Sequence, residues 1–288
     1  MHFVVTGSTG FIGSAVVKAA LAQGHAVTVF VRDAQKAKDS FAGNDRLTIV
    51  SGVDIAKGFP SDVLKGDDVL IHLAWAEVGK YTDPSNLFGN LEPQYNFIMQ
   101  AVDKGVRNIT VAGSCLEYGL QEGAAREDDD VSPVTFYGLA KKTLHDMLAL
   151  SLPQDAIFKW LRYFYVYGPG QRPGAVIPQL LRALDAGEEM FNMSKGDQVR
   201  DFVHVDTVAA NTVCIALQKN VTGIINVGSG AGLRVDALVD NILKQKQKDI
   251  KLNKGFYGYP AYEPFAFWAD ISKLQTIKGT KIDEKINL

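Results

Sequence analysis

The sequence lacks the features that define several classes of protein. It contains only two cysteines in 288 residues, Cys115 and Cys214, with no Cys-x-x-Cys spacing, which disfavours a disulfide framework and a structural zinc site. The five histidines show no metal-ligand spacing, so we expect no bound metal. Apolar runs such as 27–31 are far shorter than the ~20 residues that span a bilayer. A net charge of −2 leaves no basic surface for a nucleic-acid backbone.

The start of the chain also lacks a secretory signal, because no basic segment with a long apolar core precedes the first glycines. With the low cysteine content, this predicts a cytoplasmic protein without nucleic-acid or membrane partners. The chain is 47% hydrophobic and 22% charged, as in an ordinary globular protein.

Short β-branched runs alternate with longer segments of helical periodicity in the first part of the chain. This order predicts an α/β fold of the Rossmann type, a doubly wound parallel sheet covered by helices on both faces. The predicted strands are nearly all apolar, as expected for strands that are buried on two faces. They lie at 3–6, 26–31, 47–51, 69–73 and 108–112, with helices at 14–22 and 87–102 between them.

A further helix is predicted from Pro133 to about Leu150, and a strand at 157–167 ends at Gly168-Pro169-Gly170. After Gly170 the alternation becomes irregular. We therefore predict a main Rossmann domain over 1–170 and a smaller C-terminal lobe over most of 171–288, with segments of the lobe returning to the sheet.

A glycine-rich segment, Thr6-Gly7-Ser8-Thr9-Gly10-Phe11-Ile12-Gly13, joins the first strand to the first helix. In this context the first glycine permits a tight turn, the second lets the backbone approach a pyrophosphate, and the third allows close packing of helix and strand. The helix N-terminus adds free N–H groups and partial positive charge. The segment predicts a dinucleotide site.

Tyr137 and Lys141 lie four residues apart in a helical pattern, so both side chains share one helix face. An ammonium beside a phenol favours the phenolate and lowers the pKa of the phenol, as proton exchange with an alcohol or carbonyl requires. Ser114 ends the fifth strand, at the edge of the sheet where α/β proteins bind ligands, and its hydroxyl could donate to the substrate oxygen.

These segments resemble the motifs of the extended short-chain dehydrogenase/reductase family, the NAD-dependent epimerase/dehydratase family. This family includes nucleotide-sugar epimerases, dehydratases and 4-ketoreductases. The resemblance implies a catalytic triad of Ser114, Tyr137 and Lys141, a nucleotide-diphosphate sugar as substrate, and a homodimer formed through 87–102 and 133–150. The implied cofactor contacts are Gly7, Thr9, Gly10, Phe11, Ile12, Gly13, Asp54, Ile55, Leu73, Ala74, Tyr137 and Lys141.

The cofactor preference is predicted from the end of the second strand. By the family pattern, Val31 occupies the position of the acid that binds the adenosine ribose, and Arg32 follows it. A guanidinium can bind a 2′-phosphate, so we expect NADP(H) to be favoured over NAD(H). A one-residue shift would place Asp33 at the acidic position and leave NAD as the alternative.

The resemblance also assigns substrate contacts. Arg200 matches the family arginine that pairs with the diphosphate, although an ion pair with Asp201 or Asp206 is an alternative. Tyr165 replaces a frequent family asparagine, which is a departure from the usual diphosphate site. The implied contacts are Trp75, Asn90, Cys115, Glu117, Tyr165, Ile177, Pro178 and Arg200.

The family branch is inferred from the segment after Ser114. Family dehydratases carry an Asp-Glu pair where this chain has Cys115 and Leu116, and along an extended segment Glu117 would face the other side, so dehydration is disfavoured. The segment 114–119 and the tail 263–274 resemble 4-ketoreductases of CDP- and dTDP-6-deoxyhexuloses. We therefore expect NADPH-dependent reduction of a nucleotide-linked 4-keto-6-deoxyhexose in deoxysugar or O-antigen biosynthesis. The alternatives are an NAD-dependent nucleotide-sugar 4-epimerase and a catalytically silent dinucleotide sensor.

Overall fold

The alternation of strands and helices is present in the computed structural model, which describes residues 1–41, 43–60, 63–283 and 286. The strands are β1 (His2–Thr6), β2 (Ala26–Phe30), β3 (Leu47–Val50), β4 (Val69–His72), β5 (Asn108–Ser114), β6 (Gly123–Ala125), β7 (Ile157–Tyr163), β8 (Tyr165–Tyr167), β9 (Met190–Met193), β10 (Val199–Arg200), β11 (Phe202–His204), β12 (Gly223–Val227), β13 (Leu233–Arg234), β14 (Lys251–Lys254) and β15 (Ala266–Ala269). The α-helices are α1 (Phe11–Ala22), α2 (Ala34–Phe41), α3 (Ser85–Phe88), α4 (Leu91–Asp103), α5 (Phe136–Ser151), α6 (Val176–Asp185), α7 (Val205–Leu217), α8 (Val235–Lys246) and α9 (Ser272–Gln275).

The main sheet of the described residues has seven parallel strands in the order β12-β7-β5-β4-β1-β2-β3. Helices α1 and α7 pack on one face, where Val17 and Val213 belong to the same buried cluster. Helices α4 and α5 cover the other face, with Phe97, Leu144 and Trp160 in a second cluster. The predicted doubly wound Rossmann fold is confirmed. None of the helices in the described ranges is long and apolar enough to cross a membrane.

The chain after Gly170 both builds its own core and returns to the main sheet. Helices α6 and α8 pack with β9 around Leu180, Phe191 and Leu238. Strand β12 pairs with β7 in the main sheet, and α7 packs on α1. The division of the chain at residue 170 stays a prediction.

Two predicted elements are interrupted where they reach the carboxyl edge of the main sheet. The predicted helix 87–102 is divided into α3 and α4 at Gly89 and Asn90. The predicted strand 157–167 breaks at Phe164, whose N–H donates to Val227 O at 3.1 Å, and β8 then pairs with β11 outside the main sheet. Both interruptions turn the backbone toward the space above the sheet.

Candidate functional site

A cavity of about 1230 Å³ lies at the carboxyl edge of the main sheet. Its lining includes the glycine-rich loop, Tyr137 and Glu263. The structure brings these predicted site residues to the cavity wall: Gly7, Thr9, Gly10, Phe11, Ile12, Gly13, Arg32, Asp54, Ile55, Leu73, Ala74, Trp75, Asn90, Ser114, Cys115, Tyr137, Lys141, Tyr165 and Arg200.

The glycine-rich loop is shaped for a ligand that needs close backbone approach. Gly7 has a φ of 65°, and a Cβ atom there would lie 2.7 Å from the backbone nitrogen of Ala74. A Cβ atom on Gly13 would lie 2.1 Å from Gly7 O. Gly10 caps α1 without a side-chain hydrogen bond from the described residues, so the first turn keeps N–H groups for an anion. A dinucleotide pyrophosphate fits this site.

The loop after β2 places Arg32 and Asp33 differently. Arg32 is exposed and lines the cavity together with Lys36, whereas Val31 is buried. Asp33 lies outside the lining, and its Oδ1 accepts the Gln35 N–H at 2.8 Å near the start of α2. Its carboxylate therefore stabilises the helix start and does not face the cavity.

A buried hydrogen-bond chain supports the loop after β4. The His72 side chain lies between Thr6 Oγ1 at 3.0 Å and Gln94 Oε1 at 2.6 Å, and Thr6 Oγ1 accepts the Leu73 N–H at 3.2 Å. Burial lowers the pKa of His72 to about 4, so the ring is neutral. Asn90 Oδ1 accepts the Ala76 N–H at 3.0 Å, so its amide oxygen holds this loop.

The three predicted catalytic residues lie together in the middle of the cavity. Thr135 caps α5 by accepting the Gly138 N–H at 3.0 Å, which fixes the helix that carries Tyr137 and Lys141. Lys141 Nζ donates to the carbonyl of Ala112 on β5 at 2.7 Å. The same nitrogen lies 3.8 Å from the ring centre of Trp75 and 5.8 Å from that of Tyr137.

Burial opposes the charged forms of both helix residues. It lowers the pKa of Lys141 to about 7, while the charge of Glu117 acts to raise it. Burial also raises the pKa of Tyr137, with smaller effects of the same sign from Tyr81 and Glu117, and a hydrogen bond with Ser114 acts to lower it. The phenolate therefore depends on nearby positive charge, which Lys141 can supply.

The structure does not bring Glu117 to the cavity. The segment Cys115–Glu117 is a short 3₁₀ helix and not the extended segment that we expected, so the Glu117 side chain turns back into the protein. Its carboxylate accepts the Ser114 N–H at 2.7 Å and is wholly buried. It is therefore not placed to contact a substrate.

Ile177 and Pro178 are also absent from the described cavity lining, whereas Val176 and Gln179 line it. The helical period of α6 explains the difference, because residues three apart share a face. Ile177 faces the core, where it is buried near Leu180.

Arg200 has a partner that the sequence analysis missed. Its Nε and Nη2 donate to Glu263 Oε2 at 3.1 and 2.8 Å, and its Nη1 donates to the carbonyl of Phe265 at 3.0 Å. The expected partners are placed elsewhere: Asp201 accepts from Ser229, and the Asp206 side chain is 81% exposed. Glu263 lies in an aromatic tail segment 63 residues from Arg200, so no local spacing points to the pair.

Tyr165 lies beside this pair, with the Arg200 guanidinium 5.3 Å from its ring centre. Its hydroxyl is buried and has no hydrogen-bond partner among the described residues. Because buried hydroxyls are normally hydrogen-bonded, this group fits a ligand acceptor in the cavity.

Tyr81 and Arg172 are among the lining residues that were not predicted. Tyr81 lies 5.3 Å from Tyr137 between ring centres, and the Arg172 guanidinium lies 5.3 Å from the Tyr81 ring centre. Arg172 follows the Gly168-Pro169-Gly170 turn that ends a predicted strand. That position, at the ligand-binding edge of a parallel sheet, was the signal that could have identified it.

The NAD dependent epimerase/dehydratase family matches residues 3–228. The dTDP-6-deoxy-L-talose 4-dehydrogenase (NAD(+)) of Aggregatibacter actinomycetemcomitans is 27% identical over 93% of this chain and 99% of its own length.

Two solved structures have the same fold. One is the UDP-N-acetylglucosamine 4-epimerase from Methanobrevibacter ruminantium M1 in complex with UDP-N-acetylmuramic acid, with a TM-score of 0.86, 26% identity, and coverage of 98% of this chain and 93% of that chain. The other is the UDP-glucuronic acid 4-epimerase from Bacillus cereus in complex with UDP-glucuronic acid and NAD, with a TM-score of 0.83, 25% identity, and coverage of 99% and 95%.

These comparisons show that the predicted preference for NADP(H) is wrong. The Aggregatibacter relative is an NAD(+) enzyme, and the Bacillus cereus epimerase was solved with NAD. The charge of Arg32 alone does not determine which cofactor is preferred. An exposed guanidinium can donate to ribose hydroxyls as well as to a phosphate, so its presence permits a 2′-phosphate without requiring one.

Proposed function

The chain belongs to the NAD dependent epimerase/dehydratase family, whose model matches residues 3–228, and from this premise we propose that it is an NAD-dependent nucleotide-sugar 4-epimerase. The observation that carries the proposal is that Ser114, Tyr137 and Lys141 line one cavity together with the glycine-rich loop and Arg200. A dinucleotide at the loop and a nucleotide sugar toward Arg200 would meet at Tyr137.

The side chains of the chain supply the proton chemistry. Tyr137 Oη takes the proton of the sugar 4-hydroxyl and later returns it to the 4-oxygen, while the Ser114 hydroxyl holds that oxygen by a hydrogen bond. Lys141 favours the phenolate of Tyr137 by its charge. NAD, when bound along Gly7, Gly10 and the N-terminus of α1, would supply hydride acceptance and return at the sugar carbon.

The size of the cavity fits two ligands. It measures about 1230 Å³, above the range of roughly 300–1,000 Å³ common for sites that hold one small molecule. A site for both a dinucleotide and a nucleotide sugar requires this larger volume. To invert one carbon, the oxidised sugar must also present its opposite face before the hydride returns.

The far end of the cavity has groups suited to a diphosphate or sugar. Arg172 and Arg200 offer guanidinium donors, and Tyr165 offers a hydroxyl. Because Arg200 is already paired with Glu263, a diphosphate would share or displace that carboxylate. Both solved neighbours described above contain a UDP-sugar ligand, which supports this class of substrate.

A second candidate function is net oxidation or reduction at the sugar 4-position with NAD(H). The observation that favours it is the Aggregatibacter 4-dehydrogenase, which this chain matches over 99% of that relative's length. The same proton-transfer residues serve this reaction. Epimerisation and net oxidation or reduction differ in whether the cofactor dissociates after each hydride transfer.

The test is to incubate the purified protein with a panel of UDP- and dTDP-hexoses, first without added cofactor and then with NAD or NADH. We expect 4-epimers to form without stoichiometric cofactor use. Accumulation of a 4-keto sugar with matching NADH formation would replace the epimerase with the dehydrogenase. Cofactor binding without turnover on any sugar would contradict both and support the sensor. The homodimer and the cytoplasmic location also stay predictions.

A further inference from the structure

A buried ion pair lies behind the candidate catalytic residues and outside the described cavity lining. The Glu117 side chain is 0% exposed and that of Arg162 is 3% exposed. Glu117 Oε2 accepts the Arg162 Nε–H at 2.8 Å, and Glu117 Oε1 accepts the indole N–H of Trp160 at 3.0 Å. The third donor is the backbone N–H of Ser114 at 2.7 Å. The carboxylate therefore joins β7 to the residue that ends β5.

Both carboxylate oxygens of Glu117 accept hydrogen bonds, Oε1 from Ser114 and Trp160 and Oε2 from Arg162. The fit is close, because a Cβ atom on Gly113 would lie 2.3 Å from Trp160 Nε1 and 2.7 Å from Glu117 Oε1. Arg162 Nη1 has no hydrogen-bond partner among the described residues. Buried ion pairs of this kind often stabilise a fold no better than apolar side chains of similar volume, so stability alone does not account for it.

We propose that Glu117 is a positioning residue, whose carboxylate holds Ser114 in place and puts a negative charge beside the end of β5 that Lys141 contacts. The proposal rests on the proposed function in one respect, namely that Ser114 and Lys141 serve the reaction. Glu117 itself touches neither the cavity nor a substrate.

The charge environment of Lys141 supports this role. Burial lowers the pKa of Lys141, and Glu117 is the carboxylate of the described residues that acts to raise it. Lys141 Nζ contacts the Ala112 carbonyl and Glu117 contacts the Ser114 N–H, two residues further along β5. The other ionisable groups around these two β5 residues and Tyr137 are Tyr137 itself, Cys115, His72 and Arg162. Burial disfavours the charged forms of the first three, whereas Arg162 is paired with Glu117. Without Glu117, the ammonium would have no compensating negative charge among these groups.

The test replaces the carboxylate by an amide, Glu117→Gln, and follows the Lys141 side chain directly. Lysine-selective ¹⁵N NMR gives the pKa of its ammonium without any substrate, with Lys141→Met to assign the signal. We expect the pKa to fall by about one unit or more, the usual effect of losing an adjacent opposite charge. The alkaline limb of kcat should move down by a similar amount, while KM and NAD affinity change little.

Two further variants separate this role from simple loss of stability. Lys159→Met removes a buried, hydrogen-bonded lysine from β7 that is absent from the described cavity lining, so it should destabilise the sheet without moving the Lys141 pKa. If the single variant fails to fold, the double variant Glu117→Gln with Arg162→Gln leaves no unpaired buried charge. Because loss of the Arg162 cation acts to raise the Lys141 pKa, the double variant is compared with Arg162→Gln, and its Lys141 pKa should be the lower of the two.

An unchanged Lys141 pKa in folded Glu117→Gln, or equal Lys141 pKa values in the double variant and Arg162→Gln, would overturn the proposal, whatever the enzyme does to sugars. A lowered pKa in a protein that turns over no nucleotide sugar would support the electrostatic role and reject the proposed function instead.

Discussion

Tyr137 and Lys141 are both buried where the surrounding protein opposes their charged forms. The ammonium sits between the Trp75 ring and the Ala112 carbonyl, and both contacts compensate part of its desolvation. The charged form of each residue therefore depends on the opposite charge of the other, the Tyr137 phenolate on the Lys141 ammonium and the reverse. This dependence makes the phenol hydroxyl the group whose removal is most informative.

We expect Tyr137→Phe to lower kcat by about 100-fold or more, since a positioned acid or base contributes on that scale. NAD affinity, measured by titration calorimetry, should stay near the wild-type value because the ring remains. The matched control is Tyr163→Phe, which removes a buried hydroxyl that is hydrogen-bonded to Thr212 on α7. Near-normal turnover in the Tyr137 variant would reject its catalytic role.

Lys159 provides a prediction about stability. Its amine is buried, donates to Asn108 Oδ1 at 2.7 Å, and has its pKa lowered by burial from 10.5 to about 7. Between these values the unfolded chain binds the proton and the folded chain does not, so stability should rise with pH across this window. The slope from one group is about 1.4 kcal/mol per pH unit.

Urea unfolding at about pH 7.5, 8.5 and 9.5, three values inside this window, measures that slope. In the wild type, both Lys159 and Lys141 contribute to the rise of the unfolding free energy with pH. In Lys159→Met the slope should be smaller by the contribution of one proton. Equal slopes in the two proteins would mean that Lys159 stays protonated in the fold.

At the level of elements, the site depends on where α1 begins. The β1–α1 loop brings Gly7 and Gly13 into backbone contact, and α1 starts directly at the cavity with an uncapped first turn in the described residues. A side chain at Gly13 would meet rigid backbone, which cannot move without displacing the helix start. Cofactor binding should therefore be more sensitive to this glycine than to Gly174, which lines the cavity where a Cβ atom would meet nothing within 4 Å.

We expect Gly13→Ala to weaken NAD binding by about tenfold or more, because its Cβ atom would meet backbone atoms that must then move. Gly174→Ala is the control, since Gly174 also lines the cavity but a Cβ atom there would meet nothing within 4 Å. Fluorescence titration with NADH gives both affinities. Equal affinities for the two variants would show that the loop tolerates a displaced helix start.

Across the whole molecule, features that depend on neighbouring residues could be predicted from the sequence, whereas contacts between distant residues could not. The alternation of strands and helices, the glycine-rich turn and the spacing of Tyr137 and Lys141 each depend on neighbouring residues, and all of these features are present in the structure. The pairs Arg200–Glu263 and Glu117–Arg162 join residues that are 63 and 45 positions apart. No spacing rule links such residues, so only the fold reveals them.

The cofactor preference failed for a different reason. Arg32 was identified as lining the site, but one guanidinium can bind either a phosphate or a hydroxyl. Arg32 lines the cavity as predicted for a cofactor contact, but its side chain alone does not distinguish a 2′-phosphate from ribose hydroxyls. The choice among the reactions of the family was open for the same reason, because these reactions use the same proton-transfer residues.

The central claim is that hydride leaves the sugar 4-carbon and returns to it within one cavity. The most direct measurement uses UDP- and dTDP-hexoses that carry deuterium at C4, incubated with the purified protein without added cofactor. We predict that the deuterium remains at C4 in both the starting sugar and its 4-epimer, as read by NMR and mass spectrometry. Absence of the epimer, or an epimer whose C4 has lost deuterium to solvent, would contradict the account.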